Sequence, residues 1–289
     1  MGVIEEITLA RGRGQSPQRL NTPLLRSKVP QNFFEEAARL ILDRPGRVLI
    51  LTGFFIAIPY HDPVTGGLTE ADGPAGAVAI RNALRKLDYP VTMVTDKYAT
   101  MCFEDLTGPD ELVDFPILGH EESKKEAKAL LDRLNPSVVI AIERPGLTAD
   151  GKYYNARGWD ISNFVAKLDY LMEHPATIGI IDVGNEIGGG NIAAYQDLVQ
   201  PALQTRICLT RCDHLVFGGS CNSGGYALAA ALSRLTRRNL LMSAQEEVDL
   251  IDSWTAKGVV DGSGSLRSIY DPALSTMNAL LEQEGITAP

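Results

Sequence analysis

The sequence predicts an α/β fold with three layers, in which a mostly parallel open sheet carries helices on both faces, as in Rossmann-like domains. Apolar runs such as Arg47–Gly53 are continuous rather than alternating, which is typical of strands covered on both faces. Helix patterns of about ten or more residues alternate with these runs, as βαβ crossovers require. Of the 289 residues, 45% are hydrophobic and 22% charged, a globular composition that excludes disorder and coiled coil as the overall architecture.

Residues 1–30 are expected to form an N-terminal lead-in segment, and residues 31–289 a single α/β domain. A first helix begins after Asn32 as its cap, and Asp43–Gly46 ends it before the strand Arg47–Gly53. Further helices are predicted at Pro74–Leu87, Glu121–Leu134, Trp159–Glu173, Ile192–Gln204, Gly225–Leu235, Ala244–Lys257 and Pro272–Glu284. Further strands are predicted at Val91–Thr95, Ser137–Glu143, Thr177–Asp182, Ile207–Thr210 and His214–Gly218.

The charge of the chain narrows the classes of partner. A net charge of −9 and a pI near 5.0 disfavour nucleic acids and anionic membranes, because like charges repel. Apolar runs such as Val138–Ile142 are far shorter than the roughly 20 residues of a membrane span. The N-terminus lacks the apolar core of a secretory signal. We therefore expect a cytoplasmic protein with a small-molecule substrate, acting alone or as a homo-oligomer.

Four cysteines in a chain of this length do not make a disulfide framework. Cys208, Cys212 and Cys221 lie near His214, whereas Cys102 is distant in the sequence. Two interpretations follow, a zinc site or small buried hydrophobic side chains. The spacing matches no standard zinc finger or ribbon, so the second interpretation is favoured.

Acidic side chains follow three of the predicted strands. They are Glu70, Asp72, Glu143, Asp182 and Glu186. Because the carboxyl ends of parallel strands meet at one edge of a sheet, these acids are expected to converge and to repel one another unless a cation or protons neutralise them. An all-oxygen set, with Asn185 as a neutral neighbour, suits Mg²⁺ or Mn²⁺. The alternative is that each acid only caps a helix or a turn, as Asp72 is placed to do before Gly73-Pro74.

Two arginines near these acids suit an anionic substrate. Arg144 directly follows Glu143, and Arg157 precedes a predicted helix. Arginine binds carboxylate or phosphate groups bidentately, so both are candidate substrate clamps. The alternative for each is a structural ion pair with Asp160 or Glu143.

Glycine-rich turns at Gly188–Gly190 and Gly218–Gly225 each precede a predicted helix and are suited to present backbone N–H groups to an anion. Neither turn matches a Walker loop or the full dinucleotide fingerprint. We assign Asn185, Asn222 and Ser223, in and beside these turns, to the substrate.

Five motifs together resemble a known family. They are Glu70-Ala-Asp72-Gly-Pro-Ala-Gly-Ala, Ala141-Ile-Glu143-Arg-Pro-Gly, Gly151-Lys-Tyr-Tyr-Asn-Ala-Arg157-Gly-Trp-Asp160-Ile-Ser, Asp182-Val-Gly-Asn-Glu186-Ile-Gly and Cys221-Asn-Ser-Gly-Gly-Tyr-Ala-Leu. Over roughly residues 30 to 285, the chain resembles the C-terminal domain of D-glutamate cyclase and its stand-alone prokaryotic relatives. Several motifs in one order are more specific than any single motif.

The resemblance implies an enzyme, a metal-dependent lyase or hydrolase, that interconverts D-glutamate and 5-oxo-D-proline with loss or gain of water. A carboxylate-held divalent ion would polarise the carbonyl group. Glu186 or Glu70 would act as the general base, and Arg144 or Arg157 would hold the substrate carboxylate. Two alternatives remain open at this point, a Mn²⁺- or Mg²⁺-dependent phosphatase of small phosphate esters and a non-catalytic metabolite-binding module.

Overall fold

The architecture is that of a parallel α/β domain. The computed structural model describes residues 2–10, 28, 30–56, 68–108, 110–199 and 201–287. Its strands are β1 (Val48–Leu51), β2 (Phe55–Ile56), β3 (Leu68–Thr69), β4 (Val91–Thr95), β5 (Leu112–Asp114), β6 (Val138–Ile142), β7 (Thr177–Ile181) and β8 (His214–Phe217). Its α-helices are α1 (Val3–Ala10), α2 (Phe33–Leu42), α3 (Pro74–Lys86), α4 (His120–Leu134), α5 (Cys221–Thr236), α6 (Ala244–Ala256) and α7 (Pro272–Gln283).

Six of these strands form one parallel sheet in the order β5-β4-β1-β6-β7-β8. From β1 the chain moves outward through β4 to β5, then crosses over β1 and moves outward again through β6, β7 and β8. The direction of winding therefore reverses between β1 and β6. In open parallel sheets, ligands bind outside the carboxyl ends of the strands at such a reversal. The predicted three-layer α/β fold is confirmed.

The layers follow from burial and from the handedness of the crossovers. Strands β1, β4, β6 and β7 are buried along their whole length, as their apolar sequences predict. On one face α3 packs against α5, and α1, α2 and α7 pack on α5 as well. Right-handed crossovers place α4 on the opposite face, where it packs against a 3₁₀ segment at Leu168–Glu173.

The prediction of a helix at Trp159–Glu173 is wrong. The chain instead forms two 3₁₀ segments, Ser162–Phe164 and Leu168–Glu173, joined by extended backbone at Val165. Tertiary hydrogen bonds take the backbone groups that a helix would use internally. The Ala166 N–H donates to the Asp96 carboxylate at 3.1 Å, and the Ala166 carbonyl accepts from the Arg144 guanidinium at 2.7 Å. Local periodicity carries no information about such distant partners.

The helix predicted at Ile192–Gln204 is also wrong. Residues Gly189–Leu198 form 3₁₀ turns with a kink at Tyr195, and Pro201–Leu203 form another. Pro201 lies inside the predicted helix, where its ring removes a backbone donor and clashes with the preceding turn. The strand predicted at Ile207–Thr210 does not form.

Some elements lie outside the predicted pattern. Strand β5 and the short antiparallel β2–β3 pair are too brief to show a hydrophobic period in the sequence. Helix α1 lies within the predicted lead-in segment. Residues 11–27 and 29 of that segment are outside the described residues. Helix α5 begins at Cys221 rather than at Gly225, because Ser220 and Ser223 form a capping box in front of it. None of the described helices is both long and apolar enough to cross a membrane.

Gly225→Val is expected to destabilise the domain by about 3 kcal/mol, the upper part of the range for overpacked cores. A Cβ atom at Gly225 would lie 2.6 Å from the Cα atom of Gly76, so α3 and α5 would have to separate. Urea unfolding measures the effect. Gly108→Val is the matched control, because a Cβ atom there approaches nothing closer than 4.0 Å. Equal stability of the two variants would contradict the close helix contact.

Candidate active site

A group of buried acids lies at the carboxyl edge of the sheet, beside the reversal between β1 and β6. Glu143, Asp182, Glu186 and Cys221 each contribute one potential ligand atom, and these atoms lie within 4.8 Å of one another. All four side chains are buried. The residues follow β6, β7 and β8, so parallel strand ends bring them together from distant parts of the chain.

Backbone pairing between two of these loops holds Glu143 and Glu186 in place. The Gly146 N–H donates to the Asn185 carbonyl at 2.9 Å, and the Ile187 N–H donates to the Arg144 carbonyl at 2.8 Å. Glu143 itself has a φ of +43°, a left-handed conformation that is uncommon for a residue other than glycine. Such strain persists where the surrounding structure determines the conformation, and it concentrates at functional sites.

The turn that follows β7 binds the Glu186 carboxylate from its own backbone. The Val183 N–H donates to one carboxylate oxygen at 3.1 Å and the Gly184 N–H to the other at 2.6 Å. Gly184 has a φ of +109°, which an L-residue rarely adopts. These two hydrogen bonds fix the orientation of the Glu186 carboxylate. A fixed orientation is expected both if the carboxylate only caps the turn and if it binds a metal ion.

A cavity of about 130 Å³ opens beside this group. Its lining comprises Phe54, Ile56, Glu70, Asp72, Glu143, Asn155, Ala156, Arg157, Asp182, Val183, Asn185 and Gly262. Four predicted metal-binding acids thus line one cavity, whereas Glu186 is buried next to them and is not part of the lining. Among the described lining residues, Arg157 is the only cation.

Asp72 and Asn222 connect the first residues of α3 and α5. The Asp72 carboxylate accepts from the Asn222 N–H at 2.8 Å, so it caps α5 rather than the helix that follows it in the sequence. The Asn222 side-chain oxygen accepts from the Gly73 and Gly76 N–H groups, both at 2.8 Å. With Ser223 engaged in the capping box, the side chains of Asn222 and Ser223 have structural partners, and their assignment to the substrate stays a prediction.

The two candidate arginines lie in different surroundings. Arg144 is fully buried and pairs with Asp96 at 2.5 Å, while it also donates to the Gly53 and Ala166 carbonyls. These contacts favour the structural ion-pair alternative, although the partner is Asp96 rather than Asp160 or Glu143. Arg157 instead reaches the cavity.

Arg157 is positioned by two neighbours. Its guanidinium stacks over the Trp159 ring, 5.5 Å from the centroid, and donates to the Ser263 carbonyl at 3.2 Å. A planar guanidinium held this way keeps further N–H donors for a carboxylate or phosphate group.

The electrostatics of the acid group favour proton or cation uptake. Burial raises the pKa of the Glu143 carboxyl well above its usual range, and Asp182, Glu186, Glu70 and Asp72 raise it further by repulsion. Burial also raises the pKa of Glu186, against the hydrogen bonds from Asp182 and the turn N–H groups, which lower it. Repulsion from the other acids therefore penalises ionisation of Glu143, whereas the hydrogen bond from Asp182 favours the ionised form of Glu186.

The residues fit a divalent cation. The Glu143 Oε2 and Asn185 Oδ1 atoms are buried acceptors with no hydrogen-bond partner among the described residues. Buried acceptors without partners are costly, and a cation satisfies several at once. The four potential ligand atoms lie within 4.8 Å of one another, so these side chains would move inward to hold a single ion.

A segment after α6 completes the site and was not predicted. Val260 pairs with the backbone around Glu70, and a Cβ atom at Gly262 would lie 2.8 Å from a Glu70 carboxylate oxygen. The Asp261 side chain accepts from the N–H groups of Ser263 and Ser265 and fixes this turn. The sequence Asp-Gly-Ser-Gly-Ser signals a turn. It gives no indication that the turn returns to the first loop.

Comparison with known proteins identifies the family of the chain. A family model described as "D-glutamate cyclase-like, C-terminal" matches residues 17–271. The chain belongs to this D-glutamate cyclase-like family. It is 34% identical over 220 residues to the human protein named "D-glutamate cyclase, mitochondrial", and the match covers 68% of this chain. The chain spans about a third of that relative's length, since the match covers 34% of the human protein. The resemblance drawn from the five motifs is confirmed.

In this D-glutamate cyclase-like chain the cysteines separate into two kinds. All four are buried free thiols. Within the described residues, the group of potential metal ligands includes Cys221 and none of Cys208, Cys212 or His214, so the predicted alternative of a zinc site built from all of them does not form. Burial raises the pKa of Cys212 to about 12, as expected for a small hydrophobic side chain.

A larger cavity, of about 280 Å³, lies on the far side of the domain between α1, α2 and α5. Two of its charged residues, Arg234 and Glu284, pair with each other at 2.9 Å. It lies away from the family motifs, so the smaller acidic cavity is the better candidate for an active site.

Glu143→Gln is expected to stabilise the chelator-treated protein at about pH 8, on the order of 2 kcal/mol. Because the folded state raises the pKa of Glu143 above its ordinary value of 4.5, the folded state binds more protons. The free energy of unfolding therefore decreases as the pH rises above 4.5, because Glu143 is then ionised in the unfolded state before it is ionised in the folded state. Urea unfolding between about pH 5 and about pH 8 should show a flatter profile for the variant. The exposed Glu122→Gln serves as control, and parallel profiles for wild type and Glu143→Gln would contradict the expectation.

Proposed function

We propose that this protein is a D-glutamate cyclase-like enzyme that interconverts D-glutamate and 5-oxo-D-proline at a divalent-metal carboxylate site. The observation that carries the proposal is the buried group of Glu143, Asp182 and Glu186 beside a cavity with one arginine. Membership of the family and the name of the human relative support the choice of substrate.

Glu143, Asp182 and Glu186 would hold the ion, with Asn185 beside them. When bound, a Mg²⁺ or Mn²⁺ ion supplies Lewis-acid polarisation of a carbonyl oxygen. Burial and then repulsion from the neighbouring acids raise the pKa of Glu143, and the positive charge would offset this repulsion.

The cavity suits a small dicarboxylate or its lactam. Phe54 and Ile56 form an apolar wall against which methylene groups would pack. Arg157, which also lines the cavity, would bind the α-carboxylate bidentately. A substrate held by these contacts beside the acids would lose less entropy on reaching the transition state.

Glu70 is the better placed of the two predicted bases. It lines the cavity, whereas Glu186 is not part of the lining and accepts backbone N–H hydrogen bonds with both of its oxygens. In cyclisation, the amine nitrogen attacks the side-chain carboxyl carbon, a C–N bond forms and water leaves. Glu70 would accept the amine proton and return it to the departing oxygen. In the hydrolytic direction the same carboxylate would take a proton from the attacking water.

A phosphatase is the alternative use of these residues. Four acids against one arginine in the described lining disfavour a phosphate dianion more than 5-oxo-D-proline, which carries a single negative charge. Phosphate release from sugar phosphates and nucleotides therefore accompanies the cyclase assay as a second readout. A third alternative, a metabolite-binding module, predicts a ligand-induced rise in melting temperature with no turnover.

Purified protein with Mn²⁺ or Mg²⁺ is expected to form D-glutamate from 5-oxo-D-proline, as detected by chiral chromatography. Glu70→Gln should lower kcat by about 100-fold or more, the usual contribution of a general base. The matched control is the exposed Glu122→Gln. Turnover of phosphate esters in place of 5-oxo-D-proline, or equal kcat values for the two variants, would overturn the proposal.

Arg157→Ala is expected to raise KM by about tenfold or more, because a charge-assisted hydrogen bond to the substrate carboxylate contributes about 1.5–3 kcal/mol. Initial rates at varied 5-oxo-D-proline concentration measure this change. Arg39→Ala is the control, since Arg39 is an exposed residue of α2 that pairs with Glu35. An unchanged KM for Arg157→Ala would exclude this clamp.

A further inference from the structure

Glu143, Asp182, Glu186 and Cys221 form the group of potential metal ligands, here called the ligand group. Cys221 is its one member whose side chain offers sulfur instead of oxygen. It is the first residue of α5, directly after the Ser220 cap, and its side chain is fully buried. Its Sγ atom donates to the Ile180 carbonyl at 3.3 Å and lies within 4.8 Å of the nearest oxygens of the three acids. The helix start therefore directs a thiol into the acid group.

An independent observation points to a ligand at this place. Glu143 Oε2 and Asn185 Oδ1 are both buried acceptors without a partner among the described residues, and both residues line the adjoining cavity. Glu143 is 6% exposed and Asn185 is 2% exposed. A cation held by Glu143 would satisfy its unpartnered oxygen, and the Cys221 thiol belongs to the same group of potential metal ligands.

The other cysteines show that this position is distinctive within the described residues. Cys208 bonds to the backbone of Thr210, and Cys212 bonds to the carbonyl of His214, so both thiols serve local turns. Cys102 is buried among apolar side chains of the core. None of the three belongs to the ligand group.

We infer that the Cys221 Sγ atom is a ligand of the divalent ion, together with carboxylate oxygens of Glu143, Asp182 and Glu186. The site consequently takes a transition-metal ion such as Mn²⁺, Co²⁺ or Zn²⁺ in preference to Mg²⁺, because thiolate ligands favour these ions and Mg²⁺ favours oxygen. This inference rests on the proposed metal site and narrows its occupant.

Binding changes the thiol in a defined way. The S–H bond breaks, its electron pair forms the bond from Sγ to the metal, and the proton leaves to solvent. The Ile180 carbonyl loses the thiol as a donor and keeps the Glu143 N–H, which donates to it at 3.4 Å. The exchange therefore leaves no orphaned backbone group.

Cobalt binding tests the inference without any assay of activity. Apoprotein titrated with Co²⁺ is expected to develop the near-ultraviolet absorption of sulfur-to-cobalt charge transfer. Cys221→Ser should lose this band and bind Co²⁺ and Zn²⁺ at least about tenfold more weakly, with Mg²⁺ affinity changed by less than about threefold. Cys102→Ser, at an equally buried position outside the group, should keep the band and the affinities.

The outcomes separate this inference from the proposed function. Co²⁺ binding without a charge-transfer band in the wild type, or with equal affinity in Cys221→Ser, overturns the role of Cys221 and leaves the carboxylate site standing. No binding of Co²⁺, Mn²⁺ or Mg²⁺ by calorimetry overturns both. Where Cys221→Ser fails to fold, Cys221→Ala is measured in its place, and a wild-type protein that binds Co²⁺ without the band still overturns the inference.

Discussion

Repulsion between buried carboxylates is the constraint on which the site depends. Glu143, Asp182 and Glu186 are brought together out of water, where their mutual repulsion is screened far less than at a surface. A fold that keeps such a group must offset its charge by a cation or by protons. Burial raises the pKa of Glu143, and this repulsion from the neighbouring acids raises it further.

The fold supplies the rigidity that the acid group needs. Three parallel strand ends deliver the acids, and the paired loops at Gly146 and Ile187 prevent them from moving apart. The buried Arg144–Asp96 pair anchors the residue next to Glu143, and its guanidinium also binds the backbone of neighbouring loops. Removing one partner of such a pair leaves the other charge buried without a partner. Arg144 and Asp96 therefore stabilise the loops around the site, although neither residue lines the cavity.

The sequence predicted those features that depend on local pattern and on parallel topology. Val91–Thr95 matches its strand in the structure, and the positions of Glu143 and Asp182 directly after strands were enough to place them at one edge. The partner of Arg144 was not predictable, because Asp96 follows a different strand and only the folded sheet brings the two together. Cys221 was not predicted beside the acids, because its place in the sequence grouped it with Cys208 and Cys212. In the structure, its position at the start of helix α5 brings it next to the acids. The metal and substrate roles of these residues stay predictions.

The turn at Gly262 and Ser263 has a consequence for how the protein is made. It contacts Glu70 and Arg157, so the cavity draws on segments separated by almost two hundred positions of the polypeptide. During translation, the acids after β6 and β7 emerge from the ribosome well before this turn does. The nascent chain can therefore gather its carboxylates early, yet it acquires a complete cavity only when synthesis of the domain is nearly finished.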